Sequence, residues 1–313
     1  MVAGGAVFAR RGVDADADQD LGRRASHAEG PVTAAISRGR YLSGVNRINR
    51  IFESLRHEGC KAVMPFVTAG DPDVASLPAL LRGAEAGSAS VVEVGLPFSD
   101  PIADGPVIQA SMKHALDQGA SLDGVFEAVQ SVRDELTLGL VAMVSYSIVH
   151  RRGLSAFVEQ AASAGFDGFI FPDLPLEESD DARKAAADAG LILSQLVAPS
   201  TPIDRAKRIA EVSTGFVYVV SRAGITGTRA ELPPELPARL SELRIVTDLP
   251  MAVGFGVSSA AHVAQVVSVA DAAIVGSALV TEVAGTREAA ETAGSVVERF
   301  VGSLAEGLTG MPT

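Results

Sequence analysis

The sequence predicts an α/β fold, a single-domain (β/α)8 TIM barrel that follows a flexible N-terminal extension. Three observations support this prediction. The length of 313 residues fits one barrel of about 250 residues with additional segments. Hydrophobic residues make up 47% of the chain and charged residues 20%, which is enough apolar material for a large core. Finally, short apolar runs alternate with longer helical patterns along most of the chain.

Eight apolar runs carry the strand prediction: residues 62–68, 90–96, 140–145, 168–173, 191–198, 215–221, 251–256 and 272–277. The segments between them are amphipathic or rich in alanine, and several end in the glycine expected just after a helix. This alternation is typical of parallel strands joined by crossover helices. Eight such units close naturally into a barrel, whereas open doubly wound sheets more often have fewer strands.

We predict that residues 1–45 form a flexible extension and that residues 46–313 form the barrel, which is the catalytic domain. The N-terminus has no basic segment before its short apolar stretch, which disfavours a signal peptide. Four aspartates between positions 14 and 20 also disfavour a transit peptide. A mis-assigned start of translation is an alternative explanation of the extension, since the patterned sequence begins near Val45.

Composition excludes several classes of function. A net charge of −12 argues against a nucleic-acid partner, because such binding depends on lysine and arginine neutralising phosphates. The single cysteine, Cys60, cannot form an internal disulfide, which favours a reducing compartment. No apolar run has the roughly 18 residues that a membrane helix needs. We therefore expect a cytoplasmic protein.

Acidic residues accompany the second predicted strand, where apolar neighbours surround Glu93. Because side chains alternate along a strand, Val91, Glu93 and Gly95 share one face, which points into a barrel. A carboxyl group there should titrate high and could act as a general acid or base. The turns of the following segment should place Asp104 over the same end of the barrel. A structural buried ion pair at Glu93 is the alternative.

Glycine-rich turns follow the last three predicted strands. Glycine lets the backbone approach an anion, and a following helix presents free N–H groups to it. Barrels commonly bind phosphate after strands seven and eight, so we assign phosphate binding to Gly227, Gly256, Gly276 and Ser277. Each segment alone could be an ordinary turn, and the joint occurrence is the more specific signal. A dinucleotide site is disfavoured because the pattern comes late in the chain and lacks the third glycine.

The positions of the lysines and histidines disfavour two further classes of enzyme. None of the four lysines ends a predicted strand, which disfavours a Schiff-base enzyme. The five histidines show no paired ligand spacing, so we predict no metal site. The remaining interpretation is acid–base chemistry on a phosphorylated substrate.

Six segments resemble those of a known family in order and spacing. They are "PFVTAGDPD" (65–73), "VVEVGLPFSDPIADGPVIQ" (91–109), "GFDGFIFPDLPLEES" (165–179), "YVVSRAGITG" (218–227), "VGFGVSS" (253–259) and "AIVGSALV" (273–280). The family is the tryptophan synthase alpha subunit. The resemblance covers residues 46 to about 283, and the second segment is highly specific to this family.

The resemblance implies a (β/α)8 barrel that cleaves indole-3-glycerol phosphate to indole and glyceraldehyde 3-phosphate by a retro-aldol reaction. It implies that Glu93 is the general acid–base and that Asp104 holds the indole N–H. Tyr218 matches a tyrosine beside the reacting chain of the substrate, with strand packing as its alternative role.

The resemblance also implies a pocket and a partner. Phe66 and Phe255 match apolar pocket positions, although core packing would also explain them, and Thr226 matches a loop residue that reaches the catalytic aspartate on closure. Asp100 matches the surface that contacts a pyridoxal-phosphate beta subunit, with two copies of each chain. The alpha chain itself is expected to hold no cofactor.

One position departs from the family pattern, because Ser147 occupies the place of a usual asparagine after the third predicted strand. The departure concerns local loop packing or partner contact and leaves Glu93, Asp104 and the phosphate turns unaffected. Independently of it, three alternatives to the coupled lyase remain at this point: a stand-alone indole-releasing lyase, another phosphosugar lyase or isomerase, and a non-catalytic phosphate-binding regulator of a beta-type subunit.

Overall fold

The computed structural model describes residues 45–101, 104–221, 233–254 and 256–308. Within these ranges the chain forms nine strands, all paired in parallel. They are β1 (Ala62–Thr68), β2 (Val91–Gly95), β3 (Gly139–Met143), β4 (Gly168–Ile170), β5 (Ile192–Ser194), β6 (Leu196–Val197), β7 (Val217–Val220), β8 (Met251–Gly254) and β9 (Ala272–Val275).

The described α-helices connect and surround these strands. They are α1 (Arg47–His57), α2 (Leu77–Ala86), α3 (Pro106–Asp117), α4 (Leu122–Val132), α5 (Tyr146–Arg152), α6 (Leu154–Ala164), α7 (Asp180–Asp188), α8 (Ile203–Val212), α9 (Leu236–Arg244), α10 (Ala260–Val267), α11 (Ser277–Ala284) and α12 (Ala293–Ala305). The glycines after α6 and α7 have positive φ angles of 97° at Gly165 and 72° at Gly190, as the sequence pattern predicts for helix ends.

The sheet closes on itself through the fifth predicted strand. The strand order is β5-β4-β3-β2-β1-β9-β8-β7-β6, which places β5 and β6 at opposite ends of the list. Only Gln195 separates these two strands in sequence, and its carbonyl oxygen accepts a hydrogen bond of 3.1 Å from the Tyr218 N–H of β7. The predicted single strand 191–198 is therefore two segments with a break at Gln195, and the (β/α)8 barrel is confirmed.

Alternating residues of the strands build two apolar layers. The barrel-interior cluster consists of Ile48, Phe52, Ala62, Met64, Val91, Val141, Ile170, Ile192, Phe216, Ala252, Ala272 and Ile274. The opposite strand face packs against the surrounding helices, and includes Val92, Val94 and Leu96 of the second predicted strand. Val91 lies inside and its neighbour Val92 outside, as a period of two requires.

Helix α1 closes the amino-terminal end of the barrel. Ile48 and Phe52 of this helix belong to the barrel-interior cluster. The Asn46 side chain caps the helix through a 2.9 Å bond from the Ile48 N–H, and its Nδ2 donates to the carbonyl of Asp167 at 2.8 Å. Because this end is filled, access to the interior is from the carboxyl-terminal end of the strands, here called the barrel mouth.

Candidate active site

Glu93 lies in the middle of β2 with its side chain inside the barrel. The residue is 0% exposed, and neither carboxyl oxygen has a hydrogen-bond partner among the described residues. Its neighbours in register are Phe66 on β1 and Val141 on β3, which offer no polar side-chain atom. Burial raises the pKa of Glu93 from 4.5 to about 8. At neutral pH this group therefore carries a proton that it can donate.

An apolar wall stands beside Glu93 at the barrel mouth. Phe66 packs with Ile108 and Met112 of α3 and with Val280 of α11. Its ring lies over Gly95, where an added Cβ would come within 2.6 Å of the ring atom Cε2. The glycine thus makes room for the ring. This arrangement can hold a planar apolar group near the carboxyl group.

Tyr218 of β7 faces the same space from across the barrel. Its ring packs against the barrel-interior cluster, and a Cβ on Gly254 would lie 3.3 Å from the tyrosine Oη. Burial is the main reason why the pKa of Tyr218 lies well above its usual range, and the negative charges of Glu93 and Asp104 raise it further. That electrostatic influence indicates that the three titratable groups lie near one another.

Asp104 comes between β2 and α3, in the turn that the prolines and glycine of the segment favour. Its N–H donates to the carbonyl of Pro101 at 3.0 Å, and the Gln109 Nε2 donates to the Asp104 carbonyl at 2.8 Å. These bonds fix the backbone while the carboxyl group is half-buried, and burial raises its pKa. The prediction that this loop returns Asp104 toward the barrel mouth stays a prediction, and the contribution of the Asp104 charge to the raised pKa of Tyr218 supports it.

Two of the predicted glycine turns lie in the described part of the chain. Gly256 follows β8 with a φ of +71°, a conformation that favours glycine. Gly276 follows β9 and directly precedes α11, whose first residue is Ser277. Open space surrounds the position that a Cβ on Gly276 would occupy, with no heavy atom of the described residues within 4 Å. The neighbouring strands β8 and β9 thus each end in a turn whose backbone an anion can approach closely.

The other predicted positions fall into two groups. Thr226, Gly227 and Phe255 lie outside the described residues. Asp100 is exposed and accepts a 2.5 Å hydrogen bond from the Ser99 hydroxyl, on a surface next to the turn that holds Asp104. Ser147, which departs from the family pattern, is exposed in the first turn of α5.

Sequence reasoning missed a buried carboxylate after β1. Asp71 is 1% exposed and accepts two bonds from Arg287, of 2.9 and 2.7 Å, and one of 2.6 Å from Ser111 Oγ of α3. The only local signal is an acidic residue three positions after the end of an apolar strand. Its main partner lies 216 positions away in the sequence, which no local pattern can reveal.

The described residues contain no group of three or more potential ligands able to hold a metal ion. No helix among them is long and apolar enough to span a membrane.

Comparisons with known proteins place this geometry in a family. Residues 52–309 match the family model described as "Tryptophan synthase alpha chain". The tryptophan synthase alpha chain of Rhodopirellula baltica is 46% identical over 251 residues, which cover 79% of this chain and 90% of that protein. The alpha chain of Picosynechococcus sp. is 43% identical over 262 residues, covering 83% and 98% of the two chains.

Solved structures agree with these relatives. The alpha subunit of tryptophan synthase from Legionella pneumophila superposes with a TM-score of 0.77 at 33% identity, covering 85% of this chain and 99% of that chain. A chain of Mycobacterium tuberculosis tryptophan synthase superposes with a TM-score of 0.76 at 33% identity, with coverage of 85% and 99%. The protein therefore belongs to the tryptophan synthase alpha chain family.

Proposed function

We propose that the chain is a carbon–carbon lyase that cleaves indole-3-glycerol phosphate to indole and glyceraldehyde 3-phosphate. The observation that carries this proposal is Glu93, a buried carboxyl group with a pKa of about 8 whose charge, like that of Asp104, acts on the nearby Tyr218. Membership in the tryptophan synthase alpha chain family supports it.

The first step is a proton transfer to the substrate. The protonated Glu93 carboxyl group donates its proton to C3 of the indole ring, which leaves a positive charge shared with the ring nitrogen. Asp104 accepts a hydrogen bond from the ring N–H, and its negative charge stabilises that cation. Phe66 offers an apolar surface for the flat ring.

The second step breaks the carbon–carbon bond. The Glu93 carboxylate, now without its proton, takes the proton of the hydroxyl on the chain carbon bonded to C3. The bond between these two carbons breaks, its electron pair returns to the ring and neutralises the nitrogen, and the chain carbon becomes the aldehyde. Tyr218, whose pKa is raised in part by the charges of Glu93 and Asp104, orients the chain in this proposal.

Substrate binding uses the glycine turns. Gly256 and Gly276, together with Gly227 and Ser277, hold the phosphate group against the amino-terminal end of α11. The indole ring itself receives the electron pair, so this mechanism draws on no cofactor in the alpha chain. Pyridoxal phosphate belongs to the beta partner in this proposal.

The proposed partner is a tryptophan synthase beta subunit, which consumes the indole in an assembly of two alpha and two beta chains. The exposed Asp100 contacts that partner, and its loop continues directly to Asp104. Thr226 reaches Asp104 when the loop after β7 closes over the substrate. Partner binding and the catalytic aspartate are thereby connected through one short segment.

Two other functions make different predictions for one experiment, in which indole release by the purified chain is measured alone and with a beta subunit. Slow release that accelerates with the partner is the expected result. Fast release without the partner would instead indicate a stand-alone lyase. Substrate binding without any release, in both conditions, would indicate a regulator and overturn the proposed reaction.

A further inference from the structure

Thr68, the last residue of β1, carries a buried hydroxyl group that the mechanism above does not use. The residue is 3% exposed, and its Oγ1 has no hydrogen-bond partner among the described residues. Its carbonyl oxygen accepts from the Asp71 N–H at 3.2 Å, so the backbone is satisfied while the side chain is not. A buried hydroxyl left in this state destabilises the folded chain.

The alternation of β1 directs this hydroxyl into the barrel. Met64 belongs to the barrel-interior cluster and Phe66 to the apolar wall at the mouth, whereas Val63 and Val67 face the helices. Thr68 follows on the inner face, one pleat closer to the mouth than Phe66. Its neighbour in register on β2 is Gly95, which carries no polar side chain to pair with it.

A purely structural role does not account for the hydroxyl group. Valine has nearly the same shape and β-strand preference as threonine, and it would fill this position without an unpaired polar atom. The hydroxyl is therefore explained better by a group that binds at the barrel mouth. Such a group must supply a hydrogen-bond donor or acceptor to Oγ1.

The position of β1 in the barrel identifies which part of the substrate comes nearest. Strand β1 pairs with β2, which carries Glu93, and with β9, which ends at Val275, just before Gly276. A molecule bound between the acid–base group and the phosphate turn thus passes the end of β1 with its middle portion. In indole-3-glycerol phosphate that portion is the chain with two hydroxyl groups.

We propose that Thr68 Oγ1 hydrogen-bonds a hydroxyl group of the chain that links the indole ring to the phosphate, which makes Thr68 a substrate-binding residue. This inference rests on the proposed function and deepens it. According to this inference, the Thr68 side chain distinguishes a substrate whose linking chain carries hydroxyl groups from one whose linking chain is a plain alkyl chain.

The test compares Thr68→Val with Thr68→Ser. We expect Thr68→Val to lower kcat/KM for indole-3-glycerol phosphate about 10- to 100-fold, the range that corresponds to loss of a buried hydrogen bond. Thr68→Ser, which keeps the hydroxyl, should recover most of this loss. The midpoint of thermal unfolding of Thr68→Val should be equal to or above that of the wild type, because the unpaired group has been removed.

A second ligand separates the chain from the rest of the substrate. Indolepropyl phosphate keeps the ring and the phosphate but has no hydroxyl on its chain. Its dissociation constant should be the same within about twofold for the wild type and Thr68→Val, since the proposed hydrogen bond cannot form in either case.

Two results would overturn the inference: an unchanged kcat/KM in Thr68→Val, or an equal loss of affinity for the substrate and for indolepropyl phosphate. A lowered unfolding midpoint in Thr68→Val would likewise assign the hydroxyl to the fold. A wild-type chain that releases no indole with or without a beta subunit would overturn the proposed function itself, and this inference with it.

Discussion

The carboxyl group of Glu93 lies among apolar side chains, and its chemistry follows from that environment. A charged carboxylate there would lose its hydration without gaining a hydrogen bond from any described residue. The neutral acid is therefore favoured, and the pKa rises to about 8. Near neutral pH the group holds its proton but can release it, as a donor that later acts as a base must.

The pH dependence of the rate follows from this pKa. Protonated Glu93 is required to start the reaction, so kcat/KM should fall about tenfold per pH unit above roughly pH 8. Asp104 must be ionised to hold the ring cation, and burial raises its pKa above 3.8, which sets the acid limb. Initial rates of indole release between about pH 4 and 10 check this profile, and a rate that still rises at about pH 9.5 would contradict it.

Stability should change with pH in the opposite sense to an ordinary surface glutamate. The folded-state pKa of Glu93 is about 8 against 4.5 for the free group, so folding becomes less favourable as pH rises between these values. Glu93→Gln removes this titration. We expect the variant to match the wild type in urea unfolding at about pH 4.5 and to exceed it at about pH 8.5 by several kcal/mol, at most about 5. If the stability difference between Glu93→Gln and the wild type is the same at both pH values, the pKa of Glu93 is not raised by folding.

At the scale of single elements, β1 and β2 depend on close packing between Phe66 and Gly95. A methyl group at Gly95 would come within 2.6 Å of the Phe66 ring and 3.1 Å of Met112 Cε. We expect Gly95→Ala to displace the ring, to lower stability by about 1–3 kcal/mol and to lower kcat/KM at least about tenfold. Indole release and urea unfolding measure the two effects.

The matched control is a glycine with free space around it. Gly302 lies inside α12, and beyond its own helix backbone no heavy atom of the described residues comes within 4 Å of the position that an added Cβ would occupy. Gly302→Ala should leave activity unchanged and raise stability by about 0.5–1 kcal/mol. Equal effects of both substitutions would exclude a packing role for Gly95.

Asp71 joins elements that are distant in sequence. It connects the turn after β1 with Ser111 of α3 and with Arg287 after α11. Asp71→Asn keeps the shape but removes the negative charge that both donors face, so we expect stability to fall by about 2–4 kcal/mol in urea unfolding.

An exposed ion pair provides the comparison for Asp71. Arg82 Nε lies 2.6 Å from Glu135 Oε2, and the two side chains are 49% and 55% exposed. Glu135→Gln should therefore leave the midpoint of urea unfolding nearly unchanged. If the two variants lose the same stability, the buried network is not what connects these elements.

The order of the elements could be predicted from sequence because the apolar pattern is local. The inward direction of Glu93 followed from strand alternation, and the glycines after β8 and β9 followed from turn chemistry. The break at Gln195, the packing of α1 into the barrel and the Asp71–Arg287 pair depend on contacts between distant segments. Thr68 was missed because a threonine at a strand end is ordinary in sequence, and only its burial distinguishes it.

At the scale of the whole molecule, barrel closure brings the candidate site together. Glu93 and Tyr218 lie 125 positions apart in sequence, yet both face the barrel interior because β2 and β7 belong to the same closed sheet. Helix α1 fills the opposite end, so the site opens at the barrel mouth. A partner or a closing loop that covers this side would exclude water from the reaction.

The central claim is that the Glu93 carboxyl group transfers the proton that starts the cleavage. Its most direct test is the turnover of indole-3-glycerol phosphate by Glu93→Gln and the wild type, each with a beta subunit, with Glu135→Gln as the surface control. The account predicts at least ~10²-fold slower indole release by Glu93→Gln with a substrate dissociation constant within a few-fold of wild type, and full activity in the control. Release by Glu93→Gln above one tenth of the wild-type rate would contradict it.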